Sequence, residues 1–226
     1  MTLPAFFDYR DQQLWCENVE LTSICERYGT PTYVYSKAAI SHAMQSYINA
    51  LGDHPGLICY AVKANSNLAV LQLLARLGAG FDIVSGGELA RVLAAGGRPD
   101  RIVFSGVAKT ALELETALKA GIHCFNIESV AEIKRLSEIA QTLGLIAPVS
   151  IRVNPDVDAN THPYISTGLA DNKFGVSMEQ AYHAYQLAHA SPNLEIIGID
   201  CHIGSQLTEL APFQDALDRV LALVDR

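Results

Sequence analysis

The sequence has few basic residues and no run of them. Its 226 residues include 16 Lys and Arg against 24 Asp and Glu, which gives a formal net charge of -8 at pH 7. Nucleic acids and anionic membrane surfaces attract proteins through positive patches, so neither is expected as the main partner. The charge balance favours a small molecule as the ligand.

Long apolar stretches are also absent. No run approaches the roughly 20 residues that a membrane-spanning helix requires, and the first ten residues contain Asp8 and no basic segment. The sequence therefore shows no secretory signal, and the cytoplasm is the expected location. With 50% hydrophobic and 18% charged residues, the composition is that of a globular protein with a substantial core.

Cysteine is sparse, and its spacing matches no metal or redox motif. None of the five cysteines, Cys16, Cys25, Cys59, Cys124 and Cys201, forms a C-x-x-C pair. Three of them lie in apolar runs, where a thiol behaves as a small hydrophobic group. We expect free thiols and no metal site.

From Leu57 onward, the sequence alternates apolar runs with amphipathic runs. The apolar runs are typical of strands that are buried on both faces, and the amphipathic runs are typical of helices. The strand-like runs end at Lys63, Ser85, Gly106, Glu128 and Asn154, between 21 and 26 residues apart. This period, with short glycine-containing turns after the helices, predicts parallel strands joined by right-handed crossovers.

Six such units without a reversal of pattern predict an α/β fold, a (β/α)8 TIM-type barrel truncated after about six βα units. Arg226 falls within the helix after the sixth strand, so the sequence is expected to be a fragment. A complete six-stranded open α/β sheet is the alternative. The long polar segment at residues 155–176 is expected to act as a lid or a binding loop.

Lys63 ends the first predicted strand, within residues 57–67. In α/β folds, sites are built at the carboxyl ends of the strands, and a partly desolvated lysine placed there can attack a carbonyl group as a free amine. The alternative is a lysine whose stem is packed while its head stays in water. This stretch alone does not decide between the two, so the other strand ends matter.

Polar side chains occur at the ends of all six predicted strands, and these ends share one rim in a barrel. They are Lys63, Asp82, Ser105, Glu128, Arg152 with Asn154, and His202 with Ser205. Complementary polar groups on one rim are what a ligand pocket requires. Individually, His202 is also typical of a core histidine, and Glu128 is typical of an acid at a helix N-terminus.

The tripeptide Ser-Gly-Gly at residues 85–87 also admits two interpretations. Its first interpretation is a capped helix start, since serine is a favoured N-cap residue. The alternative is a phosphate site built on the backbone amides. The spacing, however, is not that of a dinucleotide-binding or P-loop fingerprint.

Seven motifs, in the same order and at compatible spacing, resemble the barrel of the diaminopimelate decarboxylases, pyridoxal-phosphate enzymes with the alanine-racemase-like fold. They are residues 60–65 (YAVKAN), 80–89 (GFDIVSGGEL), 105–110 (SGVAKT), 152–155 (RVNP), 162–168 (HPYISTG), 173–175 (KFG) and 202–206 (HIGSQ). The resemblance covers most of the chain, from Thr32 onward.

The resemblance implies that pyridoxal 5'-phosphate is the cofactor and that Lys63 holds it through an imine. It further implies that the His202 ring stacks on the pyridine face, that Ser205 contacts the phosphate, and that Asp82 and Arg152 line the cofactor pocket. The implied reaction converts meso-2,6-diaminopimelate, a small amino acid, to L-lysine and carbon dioxide. The implied full-length protein is a homodimer, in which residues 1–36 belong with a β-domain and residues 37–226 form the partial barrel.

Other members of the fold remain alternatives. Ornithine, arginine and carboxynorspermidine decarboxylases share it, and a non-catalytic remnant that binds pyridoxal phosphate is a further possibility. An alanine racemase is disfavoured, because residues 66–68 depart from its Tyr-Gly-His-Gly stretch. In the family, an acid pairs with the pyridine nitrogen, and a glycine-rich turn, an arginine and residues of the β-domain complete the site. None of these can be placed in this sequence, so the fragment alone is expected to be inactive.

Overall fold

The computed structural model describes residues 6–157, 174–205 and 207–225. A small antiparallel sheet comes first and is followed by a short helix. These elements are β1 (Phe7–Arg10), β2 (Gln13–Cys16), β3 (Val19–Glu20) and α1 (Leu21–Tyr28). The sequence LTSICERYG at residues 21–29 predicts a short helix closed by its glycine. This is confirmed, since Gly29 donates its backbone N–H to the Cys25 carbonyl.

The rest of the chain alternates strands with helices. The strands are β4 (Cys59–Ala61), β5 (Gly80–Ile83), β6 (Ile102–Phe104), β7 (Cys124–Ile127), β8 (Ala147–Asn154), β9 (Val176–Ser177) and β10 (Leu194–Asp200). The helices are α2 (Lys37–Leu51), α3 (Leu68–Arg76), α4 (Gly86–Ala94), α5 (Ala111–Ala120), α6 (Val130–Leu143), α7 (Met178–His189) and α8 (Ala211–Val224). Two 3₁₀ turns, Val62–Ala64 and Pro99–Arg101, complete the elements of the described residues.

The order of the strands in the main sheet follows the order of the chain. The sheet runs β10-β8-β7-β6-β5-β4, every neighbouring pair is parallel, and the short β9 pairs with the end of β8. A doubly wound sheet reverses its strand order at a switch point, and the described strands contain no such reversal. This order is that of a barrel arc, which confirms the barrel prediction over a doubly wound open sheet.

Local signals explain where the helices begin and end. The side chains that accept an N-terminal backbone N–H are Ser36, Asn67, Ser85, Thr110, Ser129 and Ser177. Thr110 and Glu113 form a complete capping box at the start of α5. Gly121 and Gly144 end α5 and α6 in the left-handed conformation, at φ 72° and 66°.

The core lies between the parallel strands and the helices that cover them. Phe81, Phe104 and Phe125, on three adjacent strands, are fully buried, and the last two rings are 6.2 Å apart. Every residue of β7 is buried, and so is every residue of β8 except Pro148. The predicted burial of these strands on both faces is confirmed, and their carboxyl ends stand on a rigid, close-packed base.

The two outer strands of this sheet, β4 and β10, are hydrogen-bonded on one side only within the described residues. Four of the seven residues of β10 are exposed, and Ile196 and Ile197 are 36% and 42% exposed. All three residues of β4 are partly exposed. The described sheet therefore has an open edge on each side.

Two predictions differ from the structure in detail. The first strand, predicted over residues 57–62, covers only Cys59–Ala61, because the chain tightens into a 3₁₀ turn at Val62. The sequence TYVY at residues 32–35 consists of residue types that favour strands, yet it forms no strand. Most of the segment predicted as a lid, residues 158–173, lies outside the described residues.

The five cysteines are free thiols. Cys16 and Cys124 are buried, whereas Cys201 is exposed. Among the helices of the described ranges, none is long and apolar enough to cross a membrane.

Candidate active site

A cavity of about 490 Å³ lies at the carboxyl ends of the parallel strands. Its lining includes all five residues that the sequence analysis selected for the cofactor pocket, Lys63, Asp82, Arg152, His202 and Ser205. They come from four different strands or the turns that follow them. Parallel pairing brings them together, because the carboxyl ends of neighbouring parallel strands lie on the same rim.

Lys63 lies in the 3₁₀ turn that follows β4. Its neighbour Val62 is fully buried, whereas Lys63 is exposed. The turn is held by two hydrogen bonds, from the Asn65 amide to the Val62 carbonyl at 3.1 Å and from the Tyr60 hydroxyl to the Asn65 carbonyl at 3.2 Å. The amine therefore belongs to a fixed turn that lines the cavity, and it lies one step beyond the strand on which it was predicted.

Asp82 is the last member of a hydrogen-bond chain that crosses four strands. The Ser150 hydroxyl donates to the Asn126 side-chain oxygen at 2.6 Å, and the Asn126 amide donates to Ser105 Oγ at 3.0 Å. The Ser105 hydroxyl in turn donates to Asp82 Oδ1 at 2.6 Å. Burial raises the pKa of Asp82, while this hydrogen bond and the charge of Lys63 oppose the rise.

Arg152 is buried near the end of β8, with 8% of its surface exposed. Its Nη1 donates to both carboxylate oxygens of Glu128 at 3.2 Å, and its guanidinium carbon lies 5.6 Å from the centre of the Phe174 ring. Glu128 does lie at a helix N-terminus, directly before the N-cap Ser129 of α6, and in addition it pairs with Arg152. Within the described part of the chain, the buried Arg152 Nε has no hydrogen-bond partner, which leaves a donor for an anionic ligand.

His202 and Ser205 lie in the loop after β10. The Gly204 amide donates to His202 Nδ1 at 3.1 Å, so the neutral ring carries its proton on Nε2. Burial, followed by the positive charges of Arg152 and Lys63, lowers the pKa of His202, and the ring is therefore uncharged near pH 7. Ser205 is exposed at the rim.

Asp200 lines the same cavity, although it was not among the residues predicted for the site. It is the last residue of β10 and pairs in register with Arg152 on β8. Burial raises its pKa to about 6, the charge of Arg152 opposes the rise, and the charges of Glu128 and Asp82 add to it. The signal that could have found it is an acid inside an otherwise apolar run.

The turn at residues 85–87 is a capped helix start. Ser85 Oγ accepts the Glu88 amide at 3.2 Å, and the Gly86 amide donates to Glu113 Oε1 at 2.8 Å. Glu88 itself reaches back to the Val84 amide at 2.7 Å. Since side chains of the protein already occupy these donors, the alternative of a phosphate site on this turn is not favoured.

The groups around the cavity suit pyridoxal phosphate. Lys63 offers a primary amine for the aldehyde, His202 offers a neutral aromatic face, and Arg152 and Ser205 offer donors for an anion. The donor set therefore fits the cofactor that the sequence predicts.

Fold and site together define a domain that binds pyridoxal phosphate on the rim of a parallel α/β barrel. The sequence profile described as "Pyridoxal-dependent decarboxylase, pyridoxal binding domain" matches residues 37–226, and the chain belongs to this family.

Relatives and solved structures place the chain near one enzyme. Diaminopimelate decarboxylase of Vibrio cholerae is 61% identical over 221 residues, which are 97% of this chain and 53% of the relative. The crystal structure of diaminopimelate decarboxylase from Helicobacter pylori complexed with L-lysine is 47% identical, with a TM-score of 0.88 over 91% of this chain and 52% of that one. The enzyme from M. jannaschii, also in complex with L-lysine, is 37% identical, with a TM-score of 0.90 over 97% and 52% of the two chains. The chain thus spans about half the length of the relatives it matches.

Proposed function

We propose that this chain is the cofactor-binding part of an enzyme that decarboxylates meso-2,6-diaminopimelate to L-lysine and carbon dioxide. The observation that carries the proposal is the convergence of Lys63, Asp82, Arg152, His202 and Ser205 on one cavity. The names of the relatives, and the L-lysine in two of the solved structures, support this substrate and this product.

In this proposal, Lys63 binds the cofactor covalently through its amine. The uncharged His202 ring stacks on the cofactor, Ser205 contacts its phosphate, and Asp82 and Arg152 orient it within the cavity. When bound, pyridoxal phosphate withdraws electrons from the substrate carbon that loses carbon dioxide. The cavity wall carries three acids, Asp82, Glu128 and Asp200, and two cations, Lys63 and Arg152. In this proposal the two cations, and not a net positive charge of the wall, hold an anionic cofactor or carboxylate.

The proposal extends to the whole protein that contains this chain. Residues 1–36 are proposed to belong with a β-domain and residues 37–226 to form the partial barrel. The whole protein is proposed to be a homodimer in the cytoplasm, with no nucleic acid or membrane as a partner. Since the relatives are about twice as long as this chain, we propose that 226 residues alone do not catalyse the reaction.

Other decarboxylases of this fold remain the alternative. The crystal structure of lysine/ornithine decarboxylase from Vibrio vulnificus, complexed with putrescine, is 22% identical with a TM-score of 0.76, a likeness that supports the fold alone. Within the resemblance, the motif at residues 162–168 is the feature that points to diaminopimelate among the substrates of this fold, and it lies outside the described residues. The substrate therefore has to be tested directly.

The test of the cofactor role uses the 226-residue chain. Incubation with pyridoxal phosphate and reduction with borohydride should attach the cofactor to Lys63, as identified by peptide mass. Lys63→Ala should abolish the attachment, whereas Lys119→Ala, which removes an exposed lysine, should not. Attachment at Lys109 in place of Lys63 would refute the assignment.

The test of the substrate uses the longer protein that contains this chain. Carbon dioxide release should be fastest from diaminopimelate in a panel with ornithine, arginine, lysine and carboxynorspermidine. A preference for any of the other four would replace the proposed substrate while leaving the role of Lys63 intact.

A further inference from the structure

Lys109 is a buried cation directly behind the cavity wall. It precedes α5, yet only 4% of its surface is exposed. Its Nζ donates to the Gly106 carbonyl at 2.6 Å, to the Asn126 carbonyl at 2.8 Å and to Glu132 Oε1 at 2.6 Å. All three donor positions of the ammonium group are thus used, and both Gly106 and Asn126 line the cavity.

Glu132 connects this cation to the acid that holds Arg152. It lies in the first turn of α6, and its side chain is 9% exposed. One carboxylate oxygen accepts from Lys109, and the other accepts from the backbone amide of Glu128 at 3.1 Å. The position of the Glu128 backbone is therefore set by a side chain that Lys109 holds in place.

The Glu128 carboxylate is also fixed by the turn at Gly106. Its Oε1 accepts from the Gly106 amide at 2.5 Å, and the carbonyl of the same glycine accepts from Lys109. Gly106 has a φ of 101°, which favours glycine. Both backbone polar groups of Gly106 are thus hydrogen-bonded. The turn at Gly106 therefore fixes the orientation in which the Glu128 carboxylate accepts from Arg152.

The buried acids and cations at and behind the cavity wall form two ion pairs. Lys109 pairs with Glu132 at 2.6 Å, and Arg152 pairs with Glu128 at 3.2 Å. The Glu132 carboxylate accepts the backbone amide of Glu128, and burial, followed by the negative charge of the Glu128 side chain, raises the pKa of Glu132. Removing Lys109 would leave two buried acids to share one arginine, which low-dielectric surroundings strongly disfavour.

We propose that Lys109 and Glu132 are positioning residues, which orient Arg152 toward the cofactor by fixing Glu128. The identity of the cofactor rests on the function proposed above, whereas the orientation of Arg152 does not. Neither residue touches the cofactor in this proposal. Their effect reaches Glu128 by two routes. Glu132 accepts the Glu128 backbone amide, and Gly106, whose carbonyl accepts from Lys109, donates its amide to the Glu128 carboxylate.

The first experiment measures the affinity of the 226-residue chain for pyridoxal phosphate. Lys109→Met should weaken binding about tenfold, a typical size for coupling within a buried network. In an Arg152→Gln background, the same substitution should change the affinity by no more than about twofold, since the group that it positions is gone. Equal weakening in both backgrounds would mean a general structural effect and would overturn the proposal.

Two further variants protect this experiment from a failure to fold. Breaking a buried pair is costly, but replacing both charges is often tolerated, so the double variant Lys109→Met with Glu132→Gln is measured in the same way. Lys119→Met is the matched control, because Lys119 forms an exposed pair with Glu115. It should leave the affinity within about twofold of the original.

The second experiment needs no cofactor. In a ¹H–¹⁵N spectrum of the arginine side chains, Arg152 should give a sharp guanidinium signal, because the pair with Glu128 hinders rotation, and Arg152→Gln assigns this signal by removing it. The double variant should broaden or shift the signal, whereas Lys119→Met should not. An unchanged signal would overturn the proposal even where pyridoxal phosphate binds. A perturbed signal in a chain that neither binds the cofactor nor is tagged at Lys63 would uphold the positioning role and refute the proposed function.

Discussion

Arg152 Nη1 donates to both carboxylate oxygens of Glu128 at 3.2 Å, and both residues are buried at the cavity wall. The two residues are 24 positions apart and lie at the ends of adjacent strands, β7 and β8. The pair places a guanidinium in the cavity without leaving an uncompensated charge in the barrel. Stability and the candidate site therefore depend on the same interaction.

Glu128→Gln should destabilise the chain by about 3–5 kcal/mol, since it leaves the buried Arg152 charge without its partner. The free energy of unfolding is measured with urea. Glu115→Gln, which breaks an exposed pair with Lys119, is the control and should cost no more than about 1 kcal/mol. Adding Arg152→Gln to Glu128→Gln should recover most of the loss, because no buried charge then remains unpaired. If Glu128→Gln and Glu115→Gln lowered the free energy of unfolding by the same amount, the pair of Arg152 with Glu128 would not be important for stability.

Asp200 should make stability depend on pH. Its folded pKa of about 6 lies above the ordinary value of 3.8, so the folded state binds more protons than the unfolded state between these values. The free energy of unfolding contributed by Asp200 is then fully present below about pH 4 and is lost as the pH rises through about 6. The free energy of unfolding of Asp200→Asn, relative to that of the original chain, should therefore rise by up to about 3 kcal/mol as the pH increases across this interval.

This difference is measured by urea unfolding at several values from about pH 4 to pH 7. Asp218→Asn, on the exposed side of α8, is the matched substitution and should show no comparable gain. A constant difference between Asp200→Asn and the original chain at every pH would contradict the raised pKa.

Substitution of alanine for glycine should lower the stability of the chain at Gly80 and raise it at Gly87. A Cβ added at Gly80 would lie 2.7 Å from the backbone carbonyl oxygen of Arg101, so Gly80→Ala should cost about 1–3 kcal/mol. At Gly87, inside α4, the nearest atom would lie 3.8 Å away, and Gly87→Ala should stabilise the chain by up to about 1 kcal/mol. The unfolding temperatures of the two variants, measured together with that of the original chain, test both effects. Destabilisation by Gly87→Ala would contradict the assigned geometry.

The open edges of β4 and β10 should cause the 226-residue chain to associate. Unpaired edge strands with exposed apolar side chains add to other strands, and β10 exposes Ile197. Sedimentation velocity should show association that increases with concentration and that Ile197→Lys reduces. Leu112→Lys on α5, which is 72% exposed, should leave it unchanged. A monomer at every concentration would contradict the prediction.

Most of the helices were predictable from the sequence because their signals are local. The amphipathic runs at residues 111–120, 130–143 and 178–189 predict three helices, and these are α5, α6 and α7. Their starts are capped by Thr110 with Glu113, by Ser129 and by Ser177, and a cap acts within one turn. The strand ends were less predictable. β4 stops at Ala61 and β10 at Asp200, because the end of a strand depends on where its neighbour stops pairing.

Some of the residues at the cavity were likewise predictable from the sequence, and others were not. Lys63, Asp82, Arg152 and His202 were predictable, because a polar residue within or just after the last residues of an apolar run marks the rim of a parallel sheet. Lys109 was not, because nothing in its local sequence distinguishes a buried lysine from an exposed one. Its burial depends on two carbonyls and one carboxylate that other segments supply.

The sequence by itself determined the βα period, the family and the set of polar residues that end the strands, since these depend on spacing along the chain. Only the tertiary structure decided that the strands form a barrel arc, that Glu128 serves Arg152, and that Asp200 belongs to the cavity. Each of these depends on which strands are neighbours, and neighbouring strands are separated in sequence by a whole helix. Long-range pairing therefore sets the electrostatics of the site, while local chemistry provides its members.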